Sequence, residues 1–200
     1  MRKLSILVLC AVSLLLLSSC SPRDFLTRRL AADLIAGSDT FRTPQLFELH
    51  TGIISNKDYL SPEYLLLLHR GWISATSAPC IPAVAPPPCW DILLTPSGVE
   101  TVRAIVSHEE ATKPSIKLPL ARRTLEGVTG ISKQGNVADV EFTWKWVPVN
   151  EVGAALYSSD VRYRSAVAVR EYDDGWRIVQ SSPHSLQTLD EALKNAEPAP

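Results

Sequence analysis

Val140-Glu141-Phe142-Thr143-Trp144-Lys145-Trp146 decides how this chain folds. Apolar and polar residues alternate one by one, and a β-strand sends successive side chains to opposite faces. Val140, Phe142, Trp144 and Trp146 therefore share a dry face, and Glu141, Thr143 and Lys145 a wet one. Gly135-Asn136 turns the chain into this strand from an earlier one near 127–132. Beyond it, Tyr163, Val167 and Val169 mark another strand, and Asp173-Asp174-Gly175 makes a tight turn into Trp176-Arg177-Ile178-Val179. Residues 124–195 thus read as a four-stranded antiparallel meander with one apolar face. Such a sheet needs a cover. Thr188-x-x-Glu191 opens a C-terminal helix with a capping box, Leu189 and Leu193 lie on one side of it, and 196–200 read as a frayed tail.

The half before the meander is built differently. A helix pattern starts at Asp24, with Phe25, Leu26, Leu30 and Leu34 at helical spacing and Gly37 at its end. A strand is expected around Leu46 to Ile54. Ser61-Pro62-Glu63 opens a second helix with a capping serine and a proline in the first turn. Tyr64 to Leu68 is apolar on every side, which predicts a buried helix. Trp72-Ile73-Ser74 and Trp90 to Leu94 read as paired strands. Thr95-Pro96 then starts a third helix, with Val99, Val102, Ile105 and Val106 inward. Residues 24–110 are a mainly helical segment with one hairpin, and 111–123, holding Pro114 and Pro119, read as an extended connector. The expected class is α+β: N-terminal helices with a disulfide-closed hairpin, then the meander covered by helices.

The first twenty residues say where the protein works. Arg2 and Lys3 precede an apolar run from Leu4 to Leu17, which small residues lead into Cys20. Leu17-Ser18-Ser19-Cys20 resembles a bacterial lipobox. The resemblance implies that residues 1–19 are removed as a signal peptide, that Cys20 is acylated, and that 20–23 form a short tether to a membrane. Ser21-Pro22-Arg23 spans at most about 10 Å. Among lipoproteins of this kind, a residue other than Asp after the cysteine implies the outer membrane, facing the periplasm, in a Gram-negative cell. Arg23, Arg28 and Arg29 read as a solvated helix face or as contacts for headgroups.

Removing that signal leaves 181 residues, and because Arg2 and Lys3 are the only charges lost, the net charge of −1 becomes −3. A nucleic-acid partner would want a basic face, so none is expected. With Cys10 removed and Cys20 acylated, Cys80 and Cys89 remain as a pair around Ile-Pro-Ala-Val-Ala-Pro-Pro-Pro. An oxidising compartment makes them a structural disulfide. Neither other metal ligands at suitable spacing nor a Cys-x-x-Cys frame accompanies them.

Two likenesses follow. Leu65–Leu68, Gly71-Trp72-Ile73, a loop and Leu94-Thr95-Pro96-Ser97-Gly98 resemble the helix–strand–wing–strand–helix half of winged-helix domains, over about 45 residues. The helix that would read DNA is Tyr64-Leu-Leu-Leu-Leu-His69-Arg70, nearly devoid of polar side chains for base edges, so that function does not carry over. The curved sheet with helices is similar in outline to nuclear-transport-factor-2-like or cystatin-like modules.

No catalytic constellation emerges. His50, His69, His108 and His184 stand in no His-Glu-x-x-His frame, and there is no Gly-x-Ser-x-Gly elbow or phosphate-cradling loop. Ser115 and Lys117 form a nominal dyad inside the proline-bearing connector; Glu109-Glu110 and Asp173-Asp174 read as a helix end and a turn. No metal or cofactor is implied. Trp144, Trp146, Trp176 and Tyr163 either fill the core or line a pocket between sheet and helices. The leading expectation is a non-enzymatic, lipid-anchored binding or assembly component of the envelope with a protein partner. A ligand module with an aromatic pocket comes second, and an enzyme third.

Overall fold

The computed structural model describes residues 25–80, 87–180 and 186–199. The stretch that resembles a lipobox, with Cys20, residues 81–86 of the proline-rich loop, and His184 lie outside the described residues. The elements are α1 (Arg28–Ala36), α2 (Asp39–Arg42), β1 (Gln45–His50), β2 (Gly52–Ser55), α3 (Asn56–Tyr59), α4 (Pro62–His69), β3 (Ile73–Ala78), β4 (Cys89–Leu94) and α5 (Pro96–Ile105). After a 3-10 turn come β5 (Ser115–Gln134), β6 (Val137–Pro148), α6 (Glu151–Leu156), β7 (Arg162–Tyr172), β8 (Gly175–Ile178), α7 (Leu189–Lys194) and β9 (Glu197–Pro198). Strands β1-β5-β6-β7-β8, with β9 beside β7, make one sheet, and β2-β4-β3 an antiparallel second. Among the described residues, no helix is long and apolar enough to cross a membrane.

The chain forms two compact units, each assembled from separated stretches. Among the described residues, one contains 37–80, 87–126, Trp144–Tyr163 and 198–199. Its core joins Leu49, Ile54, Tyr64, Leu67, Ile73, Ile92, Val102, Ile116, Leu118, Leu120 and Val152. Among the described residues, the other contains 25–36, Gly127–Thr143, 164–180 and 186–197. There Ala31 and Ile35 of α1, Val140 and Phe142 of β6, Val167 and Val169 of β7, Trp176 of β8 and Leu189 of α7 are buried. The Thr188–Glu191 capping box forms at the start of α7.

Several expectations need correction. Residues 115–123 are not a connector but the first half of the twenty-residue strand β5. Ile116, Leu118 and Leu120 alternate inward from it, and β1 pairs with it antiparallel, His50 opposite Ser115. Pro119 is tolerated because β6 ends at Pro148: the carbonyls of Pro119 and Leu120 accept instead from the Asn150 side chain and the Val149 N–H. The single strand expected over Leu46 to Ile54 is two, β1 and β2, in different sheets. Helix α4 is not buried on every side; Tyr64 and Leu67 face the core while Leu65 is exposed. The tail is not free, since Glu197–Pro198 pairs with β7 and Arg164 binds Glu197 at 3.2 Å. The meander is also interrupted, because α6 stands between β6 and β7.

Two helices dock through the same local device. Thr95 caps α5 by accepting from Gly98 N–H at 3.1 Å, and its hydroxyl donates to the Gly71 carbonyl at 2.7 Å. Asn150 caps α6 by accepting from Gly153 N–H at 2.9 Å and donates to Pro119. In both, the residue three past the cap is a glycine pressed on a backbone carbonyl. A Cβ on Gly98 would stand 1.8 Å from Trp72 O, and one on Gly153 would stand 1.7 Å from Leu120 O. Neither position can carry a side chain.

Candidate functional site

The hairpin disulfide is formed. Cys80 and Cys89 bridge with their Cα atoms 5.2 Å apart, Cys89 opening β4 opposite Ala78 at the end of β3. Closing this loop removes about 2.6 kcal/mol of chain entropy from the unfolded state on a loop-entropy treatment. Next to it, Trp90 stacks on Tyr59 at 4.4 Å and donates from its indole N–H to Asn56 at 2.9 Å. Strand β4 is thereby tied to α3 beside the disulfide.

The aromatic residues expected to line a ligand site divide between the two units. In one, Trp144 is buried, stacks on Tyr163 at 4.8 Å, and meets Trp146 at 5.4 Å and Phe41 at 6.4 Å edge-on. Trp146 packs on Tyr157 at 4.9 Å, and the Arg123 guanidinium covers its ring at 4.4 Å while donating to the Thr40 carbonyl. Burial pushes the Tyr157 phenol above its ordinary pKa. These rings contact one another, so they build a core whose exposed edge a cation closes. Trp176 belongs to the other unit, buried, with the Lys133 ammonium 4.7 Å over its ring and 3.0 Å from Glu171. Trp144 and Trp176 therefore fill different interiors.

A depression of about 250 Å³ lies elsewhere, lined by Pro44, Ala104, Ile105, Pro119, Arg122, Val149 and Asn150. Sequence reasoning missed it because Pro119 and Arg122 fall in the stretch read as a connector. Asn150 is spent at both ends of its amide on Gly153 and Pro119, so it forms wall. Arg122 is the one charge in the lining.

Ser115 and Lys117, the nominal dyad, sit on β5 facing β1. Ser115 donates its hydroxyl to Glu48, whose carboxylate is 3.8 Å from His50 Nε2. This order places the carboxylate, not the imidazole, on the serine hydroxyl. The hydrogen bond from Ser115 also holds the Glu48 carboxyl below its usual pKa, which makes it a poor base. The site is exposed and does not exclude water. Glu110 pairs with Lys113 at 2.6 Å, and Asp174 with Arg177, so both acidic doublets are engaged locally. Among the described residues, no three His, Cys, Asp or Glu side chains are grouped to hold a metal.

No family model, no curated protein and no solved structure matches this chain.

Proposed function

We propose that this chain is a lipid-anchored component of a bacterial cell envelope that works by binding an envelope protein. The supporting observation is its cysteine usage. Cys20 ends the apolar run of the lipobox, and the two cysteines beyond it are joined as Cys80–Cys89, a bond suited to an oxidising compartment. Acyl chains on Cys20 would hold the body at the membrane, at the outer membrane given Ser21 in a Gram-negative cell.

A winged-helix-like arrangement over α4, β3, β4 and α5 belongs to the same proposal. It is supported by β2 and β3 flanking β4 and by Thr95 capping α5 against Gly71. Helix α4 offers Leu65 to solvent where a DNA reader would offer polar groups, which favours a protein contact.

The test is crosslinking of the natively acylated protein in intact cells, followed by purification from membranes. A Cys20→Ala form exported by a non-lipoprotein signal peptide is the control. A discrete envelope partner captured only by the anchored form is expected; equal capture by both forms, or none, overturns the proposal. A small-ligand module is the second reading, and the depression around Ile105, Pro119 and Arg122 favours it over the aromatic residues. It predicts a ligand co-purifying with wild type and lost in Arg122→Glu.

A further inference from the structure

Phe25 is the most exposed large apolar side chain among the described residues, at 69% against 56% for Leu93. Exposure alone names no partner, but three facts about its position do. Cys20 lies five residues upstream, so the two Cα atoms are within about 18 Å of each other whatever path the chain takes. Between Cys20 and Asp33 the chain carries Arg23, Arg28 and Arg29 against one acid, Asp24. Arg28 and Arg29 are exposed in the first turn of α1. That turn is held in place: Thr27 accepts from Leu30 N–H at 3.1 Å, Arg28 donates to the Thr129 carbonyl at 3.2 Å, and Ala31 and Ile35 are buried.

We infer that the start of α1 is a second membrane contact, in which Phe25 enters the lipid interface and Arg28 and Arg29 meet the phosphates of anionic phospholipids. The inference rests on acylation of Cys20, which brings this end of the helix to a bilayer. A benzyl group beside basic side chains suits that boundary: the ring leaves water while the guanidinium groups stay at headgroup depth. The acyl chains supply attachment. Phe25 and the arginines supply orientation, since the buried side of α1 is fixed to its unit.

The test places p-benzoylphenylalanine at position 25, and separately at position 93, in the full acylated chain. Each is irradiated in phosphatidylethanolamine vesicles with and without phosphatidylglycerol. Mass spectrometry of the N-terminal peptide reads Cys20 acylation, and the peptide bearing each probe reads phospholipid adducts. Retention of the Cys80–Cys89 disulfide checks folding. Adducts at 25 are expected several-fold above those at 93, and Arg29→Gln should lower them roughly five-fold in vesicles containing phosphatidylglycerol. An acylated peptide with no excess at position 25 overturns the inference and leaves the anchor standing. A peptide without acyl chains overturns the anchor and the inference together. An adduct yield indifferent to Arg29→Gln and to phosphatidylglycerol overturns the phosphate contact.

Discussion

The Tyr64 hydroxyl holds the backbone of His50 from both sides, donating to its carbonyl at 3.1 Å and accepting from its N–H at 2.8 Å. Strand β1 ends the large sheet, and the phenol does for His50 what a further strand would do. Tyr64→Phe keeps the ring in the core but strands both backbone groups. A loss of about 1–3 kcal/mol is expected in urea unfolding; an unchanged midpoint would show the edge to be satisfied by water.

The same residue sets an alkaline limit. Burial pushes the Tyr64 phenol from 10.0 up to about 12. Its folded pKa is raised, so its contribution is complete below 10.0 and is lost as pH rises toward 12, where the unfolded chain has already released the proton. Stability of the wild type should therefore decline across that window, and decline less in Tyr64→Phe. Parallel slopes in the two proteins would contradict this assignment.

Gly153 and Gly127 make a paired test of close approach. Gly153→Ala drives a methyl into the Leu120 carbonyl and should cost about 3 kcal/mol. A Cβ on Gly127 would meet nothing within 4 Å, and Gly127→Ala should be neutral or stabilise by about 0.5 kcal/mol. Thermal unfolding distinguishes them, and equal effects would mean that α6 can shift away from β5.

Reduction of Cys80–Cys89 should lower stability by about 2.6 kcal/mol, the chain entropy that the closed loop withholds from the unfolded state. Urea curves with and without reductant, alongside a Cys80→Ala, Cys89→Ala double variant, measure it. Reductant sensitivity that persists in the double variant would place the effect elsewhere.

At the C-terminus the sign of the pH dependence reverses. Hydrogen bonds from the Thr188 N–H and hydroxyl hold the Glu191 carboxyl below its ordinary value of 4.5. The folded pKa is depressed, so the capping box contributes above 4.5 and fades as pH falls through the folded value. Thr188→Ala should cost about 1 kcal/mol at neutral pH and progressively less in acid. A cost that is constant with pH would separate the cap from the carboxylate.

The parts of the fold legible in the sequence are those governed by short-range rules. Alternation through Trp144 and Trp146 marks β6, and the caps at Ser61, Thr95 and Thr188 open helices as expected. Pro119 misleads, because its missing N–H argues against a strand only when a strand pairs on that edge of the residue, and on the β6 side, where its carbonyl meets Asn150, β6 has already ended. Arg123 is unreadable for the same reason: only within β5 does its guanidinium reach the Trp146 ring. The separation of Trp176 from Trp144 depends on which stretches assemble into which unit, a long-range matter that spacing does not encode.

The interleaving of the two units constrains how the chain can be made and cut. Leu49, Leu118 and Leu120 are synthesised first, yet Val152, which completes their core, arrives only after residues of the other unit have emerged. A nascent chain released at residue 126 would hold an unfinished interior, and contact over so many intervening residues slows folding. No single contiguous fragment can be excised as either unit, so a truncation series should lose both cores well before it has removed everything beyond residue 126.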